Sequence, residues 1–412
     1  MSSEHNARAP RRALAFIIVT VVIDAIGIGV IVPVLPQLFI DLTGASIADA
    51  AIYGGWLTAL FGAAQFVATP ILGNLGDRYG RRPVLLVSLA AFGIDYVITG
   101  FAPTIVWLFA TRLLAGVFGA TYSIANAYVA DITEPGERAR YFGLLGAAFG
   151  FGFIIGPSLG GMLGEFGSRV PFFTAAGLAM LNVLYGYFIL PESLPVANRR
   201  SFSLRRANPL GALLQLRRHP EMVGLFSVTF LLQVAGSTLP ATWPYYTMLK
   251  LGWGSADVGY SLAAYGLLSI IVQGWLLGHV LHRLGERRTI FVGLGFSIVA
   301  YIGFAFADSG TAMLAWIIPS GLGYLAGPAL TSAMSRLVGR DAQGELHGAL
   351  ASSYSLTSVF TPLLMTQVFS AFSAVDATIR FPGAPYLMAA ALAALGLVGL
   401  LILLRPTQHD PP

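Results

Sequence analysis

Three ionisable residues stand inside long apolar runs of this sequence. Asp24 lies in "FIIVTVVIDAIGIGVIVPVLP", Asp95 in "VLLVSLAAFGIDYVITGFA" and Arg112 in "IVWLFATRLLAGVFGA". A charge held in hydrocarbon costs about 2.5–3.5 kcal/mol on insertion scales, so each is read as functional before it is read as structural. At about 1.5 Å of rise per helical residue, Asp24 falls near the middle of a bilayer, while Asp95 and Arg112 reach a shared level nearer the opposite surface. Burial favours the neutral form of a carboxyl group and a nearby guanidinium favours the charged form, so such a set can take up and release a proton. Asp24 and Asp95 are therefore the expected proton-coupling or cation-binding groups, with Arg112 supporting them. A purely structural Asp95–Arg112 ion pair is the competing reading. No basic residue shares the level of Asp24.

The elements that must position these groups follow from composition. The chain has 412 residues, 56% hydrophobic and 10% charged, where soluble domains carry roughly 25% charged residues. Forty-eight glycines fit membrane helices. With no cysteine there is no disulfide framework, thiolate metal site or cysteine nucleophile. No HExxH pair, clustered metal ligands or nucleophile–base constellation is present, so neither enzyme chemistry, a cofactor nor a metal is expected. The pI of about 9.5 comes from arginines scattered between apolar runs, which reads as loop charge rather than nucleic-acid binding. The first apolar run is too long for a cleavable signal peptide.

A helical span needs about 20 apolar residues. Twelve such runs occur, at 13–36, 51–72, 83–102, 105–130, 141–164, 171–190, 222–248, 257–281, 289–308, 312–335, 345–370 and 384–404. Their length and lack of alternation exclude a β-barrel. If the N-terminus is cytoplasmic, twenty of the 24 basic residues fall on the inner side and three, Arg169, Lys250 and Arg380, on the outer side. That asymmetry sets both termini in the cytoplasm. The expected organisation is a six-helix bundle at 1–190, a cytoplasmic linker at 191–221, a second six-helix bundle at 222–404 and a tail at 405–412.

The bundles are copies of one pattern. A shift of 205 lays "GNLGDRYGRRP" (73–83) on "GHVLHRLGERR" (278–288), matching Gly73, Arg78, Gly80 and Arg82 with Gly278, Arg283, Gly285 and Arg287. The same shift brings Pro157 to Pro362 and Gly116 to Gly321. A duplicated six-helix unit usually binds its ligand at mid-membrane between the repeats. Asp77 in the charged loop is a candidate anion for a helix N-terminus. In the fifth span Gly152, Gly156, Gly160 and Gly164 recur every four residues, a stripe that permits close helix contact, and Pro157 should bend the helix. Gly266, Gly274 and Gly278 of the eighth span could form the mating surface. Between about 222 and 404 the membrane interior has no acidic or basic residue. Gln65, Asn126, Gln233, Trp243, Tyr265 and Gln273 are the expected lining for a large, mostly apolar ligand.

These motifs resemble the major facilitator superfamily, and more narrowly its twelve-span drug/proton antiporters. "GNLGDRYGRRPV" resembles the loop 2–3 signature, "RLLAGVFGA" (112–120) the fourth-span signature, and "GAAFGFGFIIGPSLGGMLG" (146–164) the fifth-span antiporter signature. "IDAIGIGVIVPVLP" (23–36) and "GIDYVITGF" (93–101) are similar to the tetracycline/proton exporters. The resemblance implies an all-α fold of two pseudo-symmetric bundles that rock about a central cavity. It further implies a cytoplasmic latch of Asp77, Arg81 and Asp131, and a fifth-span stripe that packs on span 8 to seal against ion leak. His282 and Glu286 replace the acid and the arginine in the second half, which argues against an equivalent second latch. Tetracycline exporters carry a membrane His and Asp where Ser269 and Ser297 stand here. The expected function is proton-coupled efflux of a hydrophobic or amphiphilic small molecule, by a monomer in a bacterial inner membrane; a proton-coupled symporter of a sugar or carboxylate is the alternative.

Overall fold

The computed structural model describes residues 2–119, 121–134, 136–203, 220–338 and 343–403. Its regular elements are all helical, as hydrocarbon demands of a chain that cannot hydrogen-bond its backbone to lipid. Among the described residues eleven stretches are long and apolar enough to cross a membrane; one of them, Ser255–Phe306, is 52 residues long. That stretch turns at Gly285 (φ 71°, ψ 168°) and holds two spans, giving the twelve expected.

The duplication is legible helix by helix. Span 4 is two helices, Ile105–Phe118 and Thr121–Ile132, and span 10 is Gly310–Gly323 and Ala326–Leu337. All four ends of one coincide with those of the other at the offset of 205. Span 1, Ser2–Ile31, breaks before Leu35–Thr43, and span 7 breaks between Pro220–Gly236 and Thr238–Leu251. Spans 1, 4, 7 and 10 are thus interrupted rather than continuous as expected from hydropathy. Freed backbone groups at such breaks are tolerated at membrane depth only where protein or water satisfies them. Gly80 (φ 106°, ψ 156°) opens span 3, Arg81–Phe101, as Gly285 opens span 9. Both glycines occupy backbone space that an L side chain rarely enters.

The chain divides into two compact units. One comprises Met1–Ser46, Leu57–Pro209 and Trp253–Gly266; the other comprises Ile47–Trp56, Leu210–Gly252 and Leu267–Pro412. The expected linker at 191–221 is described to Ser203, and the expected tail at 405–412 lies outside the described residues. The first unit's core joins Phe16 and Ile17 to Leu85, Leu89, Tyr128 and Leu145, and the second's joins Ile290 and Leu294 to Ala329, Met334 and Leu400. Large apolar side chains such as Phe101 and Phe188 are 69% and 75% exposed on the helix surfaces, a pattern suited to lipid and not to water.

Candidate functional site

In the first unit, spans 3 and 4 set Asp95 against Arg112. Arg112 Nη2 donates to Asp95 Oδ2 at 2.6 Å, and Asp95 is 2% exposed. The shared depth read from the sequence brings the pair together. A second bond between these spans, Thr99 Oγ1 to Thr111 Oγ1 at 3.0 Å, lies nearer the loop that joins them and fixes their register. Asp95 Oδ1 is buried and has no hydrogen-bond partner among the described residues, so half of the carboxylate is left available. Asp24, on span 1, is half-buried and makes no hydrogen bond or ion pair among the described residues.

Tyr96 lies near both carboxylates and was not among the residues singled out from the sequence. Its ring is 3% exposed and lies within electrostatic reach of Asp24, Asp95 and Arg112. A Cβ at Gly27 would stand 2.9 Å from the Tyr96 hydroxyl, so the absent side chain makes the notch that admits it. Gly27 is three residues from Asp24, hence on the same helix face. The available signal was adjacency: Tyr96 follows Asp95 directly.

At the opposite end of span 3, Arg81 Nη2 pairs with Asp77 Oδ1 at 2.6 Å and Arg81 Nε with Asp131 Oδ2 at 3.1 Å. Asp77 lies in the last turn of Ile47–Tyr79, not at a helix N-terminus as expected. Glu192 fills that role instead. From the chain leaving span 6, its Oε1 accepts the backbone N–H of Arg81 at 2.8 Å and of Leu194 at 3.1 Å. Ser193 Oγ donates to Asp131 Oδ2 at 3.1 Å, the Arg200 N–H donates to the Asp77 carbonyl at 3.0 Å, and Tyr128 Oη donates to the Pro191 carbonyl at 2.8 Å. Residues 191–200 therefore form a strap over the latch. Beneath it is a polar cavity of about 530 Å³ bordered by Asp77, Arg81, Asp131, Asn198 and Arg199.

The glycine stripe faces a different neighbour from the one expected. Cβ atoms at Gly152, Gly156 and Gly160 would meet the backbone of Val22, Gly29 and Val30, so these three mate with span 1, while Gly164, the last of the stripe, meets both Val34 and Ser255 of span 8. Span 8 lies on the adjacent face of the fifth helix, where Gly161 abuts Ser255 and Ala256 and the Pro157 carbonyl abuts Gly259. Gly266 packs near Ile154, whereas Gly274 and Gly278 face open space. The stripe thus fixes the helix that carries Asp24.

The profile of the Major Facilitator Superfamily matches residues 17–362 and 225–412. The chain belongs to this superfamily. It is 40% identical to the class C tetracycline resistance protein of Escherichia coli over 87% of this chain and 90% of that one. It is 29% identical to multidrug resistance protein 2 of Bacillus subtilis over 93% of each. Among solved structures, the nucleoside transporter NupG shares the fold with a TM-score of 0.79 at 13% identity, covering 96% of this chain and all of that one. The protein is thus a multi-pass membrane transporter of small molecules, related to tetracycline and multidrug resistance proteins.

The polar residues expected to line this transporter's ligand site have varied surroundings. Gln65 Nε2 donates to the Gly119 carbonyl, at the break in span 4. Asn126 Nδ2 donates to the Tyr122 carbonyl one turn earlier at 2.8 Å. Tyr265 is half-buried in span 8 and has a partner within the protein. In the second unit, Gln233 Oε1 accepts from Ser353 Oγ at 2.7 Å. Trp243 is 1% exposed, packed edge-on against Phe304 and Tyr386, and so belongs to the core of that unit. Gln273 is exposed and donates to Ser269 Oγ at 2.7 Å in a π-helical turn, Val272–Leu276. Such turns concentrate at functional sites. Ser297 packs its side chain against Gly323, in helix contact.

Proposed function

We propose that the protein exports a hydrophobic or amphiphilic small molecule, tetracycline-like drugs included, in exchange for protons, as a monomer in a bacterial inner membrane with both termini in the cytoplasm. The observation that carries this reading is the pair of carboxylates on spans 1 and 3: Asp95, half-satisfied by Arg112, and Asp24, with no bonded partner. An exchanger needs an acid that is protonated from one side and deprotonated when substrate binds. Asp24 is the stronger candidate, since no fixed cation holds its charge. Arg112 keeps Asp95 in place and close to that exchange. Opening and closing of the Asp77–Arg81–Asp131 latch would accompany the cycle. The tetracycline and multidrug relatives support export over uptake.

Everted membrane vesicles energised with lactate and carrying a pH-sensitive acridine dye test the proposal. Tetracycline or ethidium added to them should dissipate part of the proton gradient, and Asp24→Asn should abolish that response while the protein remains in the membrane. Proton uptake by the purified protein on binding substrate, instead of release, would favour symport. A fully coupled Asp24→Asn variant would refute the assignment.

A further inference from the structure

We propose that Glu286 and Arg336 form a second cytoplasmic latch, a charge-reversed copy of Arg81 and Asp131, that acts as a standing clamp on the inner ends of spans 9 and 10. The offset of 205 carries Arg81 to Glu286 and Asp131 to Arg336. Comparison of loop residues by identity hides this correspondence, because both members change sign. Arg336 Nη2 pairs with Glu286 Oε2, and Ser332 Oγ donates to Glu286 Oε1 at 2.7 Å. Each pair ties the residue after a positive-φ glycine, Gly80 or Gly285, to the last turn of the next span's inner helix.

The reversal has a physical cause. A helix favours anions at its N-terminus and cations at its C-terminus. Glu286 opens span 9 and Arg336 lies in the last turn of Ala326–Leu337, so both charges agree with their helices. Arg81 opens span 3 and Asp131 lies in the last turn of Thr121–Ile132, so both are opposed. The first latch compensates with Glu192, which brings a carboxylate to the span 3 N-terminus from the strap. The offset takes Glu192 to Leu397, inside the last helix, so the second half has no acid at the matching place. Without a strap, the residue after the glycine must itself be the acid, and its partner must then be the base. Glu286 has 18% of its side chain exposed and Arg336 69%, so the pair is shielded on the side of its acid and open on the side of its base.

It follows that the two latches differ in strength. The first, opposed by its helix ends and held by a strap, is built to open. The second, aligned with its helix ends, stays closed and moves the inner ends of spans 9 and 10 as one piece. This rests on the transport reading only for the meaning of opening; the clamp itself is a property of the folded protein.

The test is a charge swap in the full-length protein purified in detergent, followed by thermal unfolding at low and at molar salt. Glu286→Arg and Arg336→Glu should each lower the midpoint by several degrees at low salt. The double variant should recover part of the loss yet stay below the parent, because the restored pair opposes both helices. Molar salt should narrow the differences. Arg336→Gln, which removes the partner without adding repulsion, should show a smaller loss and covers a reversal that does not fold. Single variants as stable as the parent, or a double variant no better than the worse single, would overturn the clamp. Ethidium efflux from cells is measured in parallel and should fall several-fold in the singles and recover in the double. If the stability pattern holds while the parent moves neither ethidium nor tetracycline, the export reading fails and the clamp stands.

Discussion

The contact between spans 1 and 5 gives the sharpest quantitative prediction. A methyl added at Gly156 would lie 2.8 Å from Gly29 Cα and 2.8 Å from the Ile26 carbonyl oxygen. Carbon atoms pack at about 3.5–4.0 Å, so the helices must separate by roughly 0.7–1.2 Å or distort. The obstructing atoms are backbone, and no rotamer change relieves them. At Gly160 the clash is worse, with Val30 C and Cα both at 2.6 Å. At Gly177, in span 6, nothing lies within 4 Å. Overpacking of this kind costs about 1–3 kcal/mol, while alanine's higher helix propensity returns up to about 1 kcal/mol at each site. The Gly177→Ala protein should therefore unfold at or slightly above the parental midpoint, Gly156→Ala below it and Gly160→Ala lowest. Because the stripe touches span 1 from Val22 to Val30, the same displacement moves Asp24, so efflux of ethidium should fall further than the loss of folded protein explains. Differential scanning fluorimetry on purified variants and efflux assays at matched expression check both halves. Equal midpoints for the Gly156, Gly160 and Gly177 variants would show that the stripe is not a tight seam and that the argument from contact distance is wrong.

Other outcomes follow from single features. Gly27→Ala meets only the tip of the Tyr96 side chain, which can move, so the protein should keep its unfolding midpoint while efflux drops as Tyr96 is driven from Asp24. Gly285→Ala has open space around it but a φ of 71° and ψ of 168°, and backbone strain of about 1–3 kcal/mol should appear as a lower midpoint with no steric cause. Glu192→Ala removes the side-chain acceptor that caps span 3, an effect of about 0.5–2 kcal/mol for helix caps; trypsin added to inside-out vesicles should then cut faster at Arg199 and Arg200, the latter's backbone N–H being held against the Asp77 carbonyl in the parent.

How much of this could be read from the chain depends on what the solvent enforces. Lipid admits only helices with long apolar runs, so the twelve spans and the repeat at 205 were plain from hydropathy and loop glycines. The breaks in spans 1, 4, 7 and 10 were not, because an interruption of one to three residues, at Val32–Val34, Ser237 or Tyr324–Leu325 as at Gly119, leaves mean hydropathy over a span unchanged; only internal comparison of the halves would have marked Gly119 against Tyr324. The Asp95–Arg112 pair was accessible because depth along a helix is a matter of counting residues. The partner of the glycine stripe was not, since periodicity shows that glycines share a face without showing which helix the face meets. Trp243 illustrates a related limit: an aromatic in a polar neighbourhood suits a ligand wall and a buried cluster equally, and the choice depends on Phe304 and Tyr386, which are distant in sequence.

The second latch was missed for a more instructive reason. Searching the repeat for conserved charge found His282 and Glu286 in place of Asp77 and Arg81 and suggested a lost function. An ion pair, however, is preserved by reversing both signs, and the information lies in the product of two charges rather than in either residue. Helix polarity then decides which of the two arrangements is self-sufficient and which needs help from outside the pair. The strap residue Glu192 is that help, and its absence from the second half accounts for the sign of Glu286. A duplicated membrane protein whose halves are joined by one linker can strap only the bundle that the linker leaves, so the other bundle must hold its inner helix ends with charges that already suit them.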